Sequence, residues 1–114
     1  MRAGLPFAIF NQVSSATASR PDELAAVLAL PLRTLARRKK EGRFKPDESD
    51  RILRLSRVVM LAQETLGSEA KAQEWLNRPN KALQGNSPLT YLETDAGARE
   101  VEALLIRIGH GIYS

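Results

Sequence analysis

Apolar residues recur along this chain at intervals of three and four, and almost nowhere in strict alternation. That period belongs to helices that bury one face. No Asn-Gly or Asp-Gly pair marks a hairpin, so an all-α fold is expected. Leu5 to Val13 forms a first helix, with Leu5, Ala8, Ile9 and Val13 inward. Ser19 caps a second, where Pro21 costs nothing in the first turn and Asp22 and Glu23 suit the positive helix end. That helix carries Leu24, Val27 and Leu28 and ends near Ala29. Leu30 and Pro31 connect it to a third helix, from about Pro31 to Glu41, with Gly42 as a left-handed cap.

Pro46 opens the longest helix, whose stripe is Ile52, Leu55, Val59, Ala62 and Leu66 and whose stop is Gly67. Ser68 starts another helix, holding Trp75 and Leu76, and Arg78-Pro79-Asn80 breaks the chain. A helical turn around Ala82 and Leu83, a loop from Gly85 and a brief helix from Pro88 to Leu92 follow. Thr94 caps the last helix, with Val101, Leu104, Leu105 and Ile108 facing inward. Gly109 and Gly111 are expected to release a short tail.

Charge divides this helical chain. The net charge is +4, but residues 33–57 hold ten Lys or Arg against four Asp or Glu. Residues 1–32 sum to zero and residues 58–114 to −2, which suggests two surfaces with different partners. Other chemistry is thin. There is no cysteine and one histidine, His110, so neither a disulfide framework nor a protein-built zinc site is expected. Gly85 and Gly97 are isolated, with no phosphate loop, and no histidine has a general-base role. The reading is of a non-enzyme without cofactor or metal. No apolar run is long enough to span a membrane and no signal peptide is evident, so a cytoplasmic address is expected.

Leu24 to Glu41 has the outline of a helix-turn-helix, two short helices with the second packed with cations. Leu32 and Leu35 are read as pointing at the core. Arg33, Arg37 and Lys40 then share an outward face, flanked by Arg38 and Lys39, with Thr34 adding a hydroxyl. Arginine forks read guanine edges and lysines neutralise phosphate, and Arg43 and Lys45 follow to grip the flanking backbone. The plainer alternative is a solvated cationic face. The unbroken run Arg37 to Lys40 favours a polyanion, which relieves its mutual repulsion. Arg51, Arg54 and Arg57 are assigned to ion pairs with Asp47 and Asp50.

The run from Arg33 to Leu55, RTLARRKKEGRFKPDESDRILRL, is followed in order by Trp75-Leu76, Pro79-Asn80, Ala82-Leu83, Gly85, Ser87-Pro88, Leu92, Thr94, Gly97 and Val101. This succession closely resembles the antitoxins of the Xre/MbcA/ParS family, over about residues 20–114. The resemblance implies an Xre-like helix-turn-helix region, residues 1–57, that binds the operon's own promoter. It implies a small helical toxin-binding domain, residues 58–114, for a toxin of the RES-domain class, which destroys NAD. Carried over, it puts Ile108, Gly109, His110, Gly111, Ile112, Tyr113 and Ser114 at the mouth of the toxin's NAD pocket. Trp75 to Gly85, with Trp75 and Asn80, supports that surface. Trp75 is also the simplest core anchor, and Tyr113 is the aromatic most suited to an interface. A homodimer or a toxin–antitoxin hetero-oligomer is expected. Lys45 replaces the family's frequent capping Ser before Pro46, which implies a weaker cap. Leu32 stands where a polar base-reading residue is common. Two alternatives stay open: a stand-alone helix-turn-helix regulator that dimerises through its C-terminal half, and a protein-interaction module with solubilising cations.

Overall fold

The computed structural model describes residues 4–113, and the side chains of these except Ile112 and Tyr113. Seven α-helices follow one another: α1 (Ala8–Thr17), α2 (Pro21–Val27), α3 (Leu32–Glu41), α4 (Pro46–Leu66), α5 (Glu69–Asn77), α6 (Pro88–Tyr91) and α7 (Asp95–Tyr113). A 3-10 turn, Lys81–Leu83, lies between α5 and α6. Among the described residues there is no strand, only isolated bridges at Pro6–Arg43 and Asn80–Asn86.

The helix ends follow local chemistry. Ser68 accepts from the Lys71 N–H, and Thr94 Oγ1 accepts from the Gly97 N–H at 2.9 Å. Gly42 and Gly67 close α3 and α4 in the left-handed conformation, φ +81° and +93°, which costs a glycine nothing. One end differs from expectation. Ser19 does not cap α2: its hydroxyl bonds Thr17 Oγ1 at 2.8 Å, and Arg20 is the capping position, its N–H donating to Glu23. At Lys45 the side chain makes no cap hydrogen bond, as expected, and Glu48 reaches back to accept the Lys45 N–H at 2.8 Å.

α4 is the axis of the molecule. Ile52, Leu55, Val58, Val59 and Ala62 are buried along it, and α1, α5 and α7 all pack against it. A fully buried Leu or Val contributes roughly 1.5–3 kcal/mol. The core is one continuous cluster running from Phe10 and Leu24 at one end to Val101 and Leu105 at the other. The Arg54–Asp95 contact at 3.5 Å and the closeness of Gly109 to Thr65 show that α7 runs parallel to α4. Both helices therefore end at the same end of a particle measuring 48 × 25 × 25 Å.

α1 begins at Ala8 rather than Leu5, and Phe10 joins Val13 in the core while Ala8 is exposed. The segment before it straps the α3–α4 turn. Leu5 N–H donates to Ser49 Oγ at 2.8 Å, Phe44 N–H to the Leu5 carbonyl at 2.9 Å, and Phe7 N–H to the Gly42 carbonyl at 2.9 Å. Phe7 stacks on Phe44 and Phe10, ring centroids 5.3 and 5.7 Å apart. Position 57/58, the expected domain limit, lies inside unbroken α4. Two amides bridge across it: Gln73 Nε2 donates to the Ser15 carbonyl at 3.0 Å and Asn77 Nδ2 to the Thr17 carbonyl at 2.7 Å.

Candidate functional site

α2 and α3 meet through a turn that bends at Ala29, φ +56°, with Leu30 N–H bonded to the Ala25 carbonyl at 2.8 Å. Leu24, Ala25, Leu28 and Leu30 anchor this pair in the core. α3 lies across the end of it, with Arg33, Arg37, Lys39 and Lys40 exposed and Thr34 half-buried. None of those four cations makes an ion pair among the described residues. Lys39 and Lys40 sit in the last turn, where the helix dipole favours them, but Arg33 is at the second position, beside the positive end. Among the described residues nothing compensates Arg33, so its charge is available to an external anion.

Arg38 breaks the expected pattern. Its side chain is only 6% exposed, and it does not flank the outward face. It donates Nε to Glu48 Oε1 at 2.7 Å, Nη2 to Glu48 Oε2 at 3.1 Å and Nη1 to Glu41 at 3.0 Å. This bidentate pair fastens α3 to the start of α4. The hydrogen bond to Glu48 raises the Arg38 pKa further above its ordinary value, against the effect of burial. Burial alone pushes the Glu48 carboxyl up. The Arg38 and Lys45 donors outweigh it and hold the carboxyl below its usual range. Helical geometry accounts for the inward turn, since five residues after Arg33 the helix has swung about 140° round. Leu32 is the converse case. It was expected in the core and is 62% exposed, while Leu35 alone packs inward, partly buried.

Arg43 and Lys45 are exposed beyond α3, with one Arg43 nitrogen, Nη1, donating to the Gly4 carbonyl at 3.0 Å. Arg51 and Arg54 are structural, as expected. Arg51 Nε donates to the Leu28 carbonyl at 2.8 Å and lies 3.6 Å from Asp47, and Arg54 pairs with Asp95 rather than with Asp50.

The second candidate face is at the far end of α4. α7 does not dissolve at Gly109 but continues as helix to Tyr113, so there is no tail within the described residues. Ile108 and Gly109 are half-buried, and His110 and Gly111 are exposed. Gly109 lies level with Thr65, two residues before α4 stops at Gly67. The last turn of α7 thus projects past the end of α4. The side chains of Ile112 and Tyr113, and Ser114 altogether, lie outside the described residues.

Trp75 is half-buried against the core and borders a shallow hollow with Leu66, Lys71 and Arg78, at this same end of α4. Asn80 is differently employed. Its Oδ1 accepts the Ala82 N–H at 2.9 Å, and its backbone bonds Asn86, Leu83 and Gly85, so it builds the turn before α6. No described helix is long and apolar enough to cross a membrane.

Sequence reasoning missed the strap at residues 4–7, the Arg38–Glu48 fork and the exposure of Leu32. The fork was legible in principle, from the helical angle of Arg38 and from Glu48 in the first turn of α4. The bonds from Gln73 and Asn77 carried no signal, because their acceptors are backbone carbonyls about 60 residues away.

Comparison with known proteins agrees with this layout. Residues 2–57 match the antitoxin Xre-like helix-turn-helix domain, and residues 61–111 the antitoxin Xre/MbcA/ParS C-terminal toxin-binding domain. The chain is 42% identical over 94 residues to an antitoxin Xre of Yersinia enterocolitica, covering 81% of the chain and 64% of that protein. It is 33% identical over 116 residues to an antitoxin Xre of Photorhabdus laumondii, covering 100% of the chain and 78% of the relative. A third antitoxin Xre, from Pseudomonas putida, is 35% identical over 83 residues, 72% of the chain and 52% of its own length. The chain thus spans less than two thirds of two of these relatives. In fold it is similar to a chain of the M. tuberculosis MbcT–MbcA toxin–antitoxin complex, TM-score 0.67 at 18% identity over 95% of this chain and 96% of that one. The order of the two matched domains along one helical chain, and the identity to one antitoxin Xre over its full length, place it: the chain belongs to the Xre/MbcA/ParS family of antitoxins.

Proposed function

We propose that this chain neutralises a toxin of the RES-domain class by seating the C-terminal end of α7 in the mouth of the toxin's NAD cleft. In the same reading α3 takes it to the operator of its own operon. The observation that carries the proposal is the separation of the two faces. Arg38 fastens α3 to Glu48, near the start of α4, and the last turn of α7 projects beyond Thr65, near its end. Those points are about 25 Å apart along the helix, at roughly 1.5 Å per residue. One surface can therefore hold DNA while the other holds a protein.

At the operator, Arg33 and Arg37 meet base edges, and Lys39, Lys40, Arg43 and Lys45 meet phosphate, with Thr34 as an added donor. Arg38 is excluded from this set by its burial. At the toxin, Ile108, Gly109, His110 and Gly111 lead the projecting turn, followed by Ile112, Tyr113 and Ser114, and Trp75 supports it from α5. Inhibition is steric and asks no chemistry of the antitoxin. It acts in the cytoplasm, where operator DNA and NAD both are. Paired half-sites call for two copies of α3, supplied by a homodimer or a toxin–antitoxin hetero-oligomer. The M. tuberculosis fold neighbour, found in a toxin–antitoxin complex, supports the toxin half of this reading.

The test is co-purification of the chain with the product of the adjacent gene, followed by an NAD-consumption assay with and without it. A stable complex that spares NAD supports the proposal, and deletion of Ile112 to Ser114 should then weaken protection while leaving the thermal melt unchanged. Promoter binding with no complex would leave a stand-alone regulator. Full protection by the truncated chain would remove the plug.

A further inference from the structure

Leu32 is the most exposed large hydrophobic residue among those described, at 62%. It occupies the first position of α3, immediately before Arg33. A leucine there buys its own fold little, because Leu35 makes the inward contact one turn later. Leu32 and Ala36 are four residues apart and both exposed, so they form a short apolar strip. Beside it runs the cationic strip of Arg33, Arg37 and Lys40. Two strips of opposite character thus run along neighbouring sides of the helix, the apolar one bordering a shallow hollow with Phe7, Phe10 and Pro21.

The charge argues for what covers the apolar strip. Arg33, Arg37, Lys39 and Lys40 have no ion-pair partner among the described residues, which favours an anionic occupant. A second copy docked face to face would oppose like charges. The DNA major groove offers phosphates and guanine acceptors for the cations, and one apolar group, the thymine C5-methyl, for the leucine. Helix-turn-helix proteins enter that groove with the N-terminal residues of the second helix, where Leu32 stands.

We propose that Leu32 reads a thymine C5-methyl in the operator and so sets part of the sequence preference of α3. This rests on the DNA-binding reading above. The contact is apolar, not a hydrogen bond or an ion pair, so its contribution is independent of salt.

The test uses the promoter fragment of the protein's own gene, amplified once with thymidine triphosphate and once with deoxyuridine triphosphate. Uracil keeps the O4 acceptor and the base pair and lacks only the methyl. The wild-type chain should bind the uracil fragment more weakly, by about fourfold for each thymine read, the effect of burying one methyl-sized group. The Leu32→Ala variant should bind both fragments equally and keep the wild-type salt slope, since no charge is lost. Equal binding of both fragments by the wild type overturns the proposal and leaves DNA binding intact. A thymine preference that survives in Leu32→Ala overturns it too, by assigning the preference to DNA shape. No promoter binding by the wild type overturns both this inference and the reading beneath it. Because Leu32 is exposed, a matching thermal melt confirms that the variant is folded.

Discussion

Gly97 sits in the first turn of α7, where an alanine is ordinarily the better helix former by about 1 kcal/mol. The structure reverses that expectation. A Cβ at Gly97 would stand 2.0 Å from the Tyr91 carbonyl oxygen and 3.0 Å from Thr94 Oγ1. Real Cβ contacts stay beyond 3.0 Å, so the α6 carbonyl would have to withdraw by about an ångström. Overpacking of this kind costs roughly 1–3 kcal/mol. The displaced Thr94 hydroxyl also loses its grip on the Gly97 N–H, a cap worth about 1 kcal/mol. The two costs outweigh the propensity gain, and Gly97→Ala should lose about 1–3 kcal/mol net. For a chain of this size that is a fall in Tm of roughly 4–12 °C. Gly109 supplies the control within the same helix. Its nearest neighbour to an added Cβ is Thr65 Cγ2 at 3.7 Å, an ordinary contact, so Gly109→Ala should hold or raise Tm. Thermal melts followed by circular dichroism and by the fluorescence of Trp75, the one tryptophan, read both variants. A Gly97→Ala melt at or above wild type would refute the reasoning, and so would equal losses in the two variants.

Two further outcomes follow from α3 and its anchor. Replacing Arg33 and Arg37 together by alanine should abolish promoter binding in a gel-shift assay and leave complex formation with the toxin unchanged; loss of both would show that α3 serves the fold instead. Glu48 has a depressed pKa, so its contribution is fully present above the unfolded-state pKa and lost as pH falls through the lower folded-state value. The urea-unfolding gap between wild type and Glu48→Gln should therefore be widest near pH 7 and begin to narrow only below about pH 4, and a gap that is constant with pH would contradict the ion pair's role.

The helix inventory could be read from the sequence because its signals are local. Thr94, Ser68, Gly42 and Gly67 act within one turn of their positions, and the stripe from Ile52 to Ala62 is a matter of period alone. The α2–α3 pair was legible for the same reason. What escaped was nonlocal or concerned direction. Arg38 lies in a run of four cations whose members look alike as letters, yet its guanidinium is turned inward to a carboxylate ten residues on. Leu32 and Leu35 look alike too, and only the packing of α1 and α2 decides which is covered. At the C-terminal end, Gly109 and Gly111 suggested a stop, but neither adopts a left-handed conformation and the helix continues through both. A glycine ends a helix only where the next turn has somewhere better to go.

The unbroken run of α4 through the junction of the two matched regions has a consequence for geometry in rotation. Each residue of a helix advances about 1.5 Å and turns about 100°. With α1 tied to α5 by Gln73 and Asn77 on its flank, α4 cannot gain or lose a residue without breaking those bonds. The end that carries α3 is thus locked in azimuth to the end from which α7 projects. Whatever docks at one end is aimed at a fixed angle about the axis of whatever docks at the other. Partner choice in this protein can drift by surface substitution, but not by changing the length of its shaft.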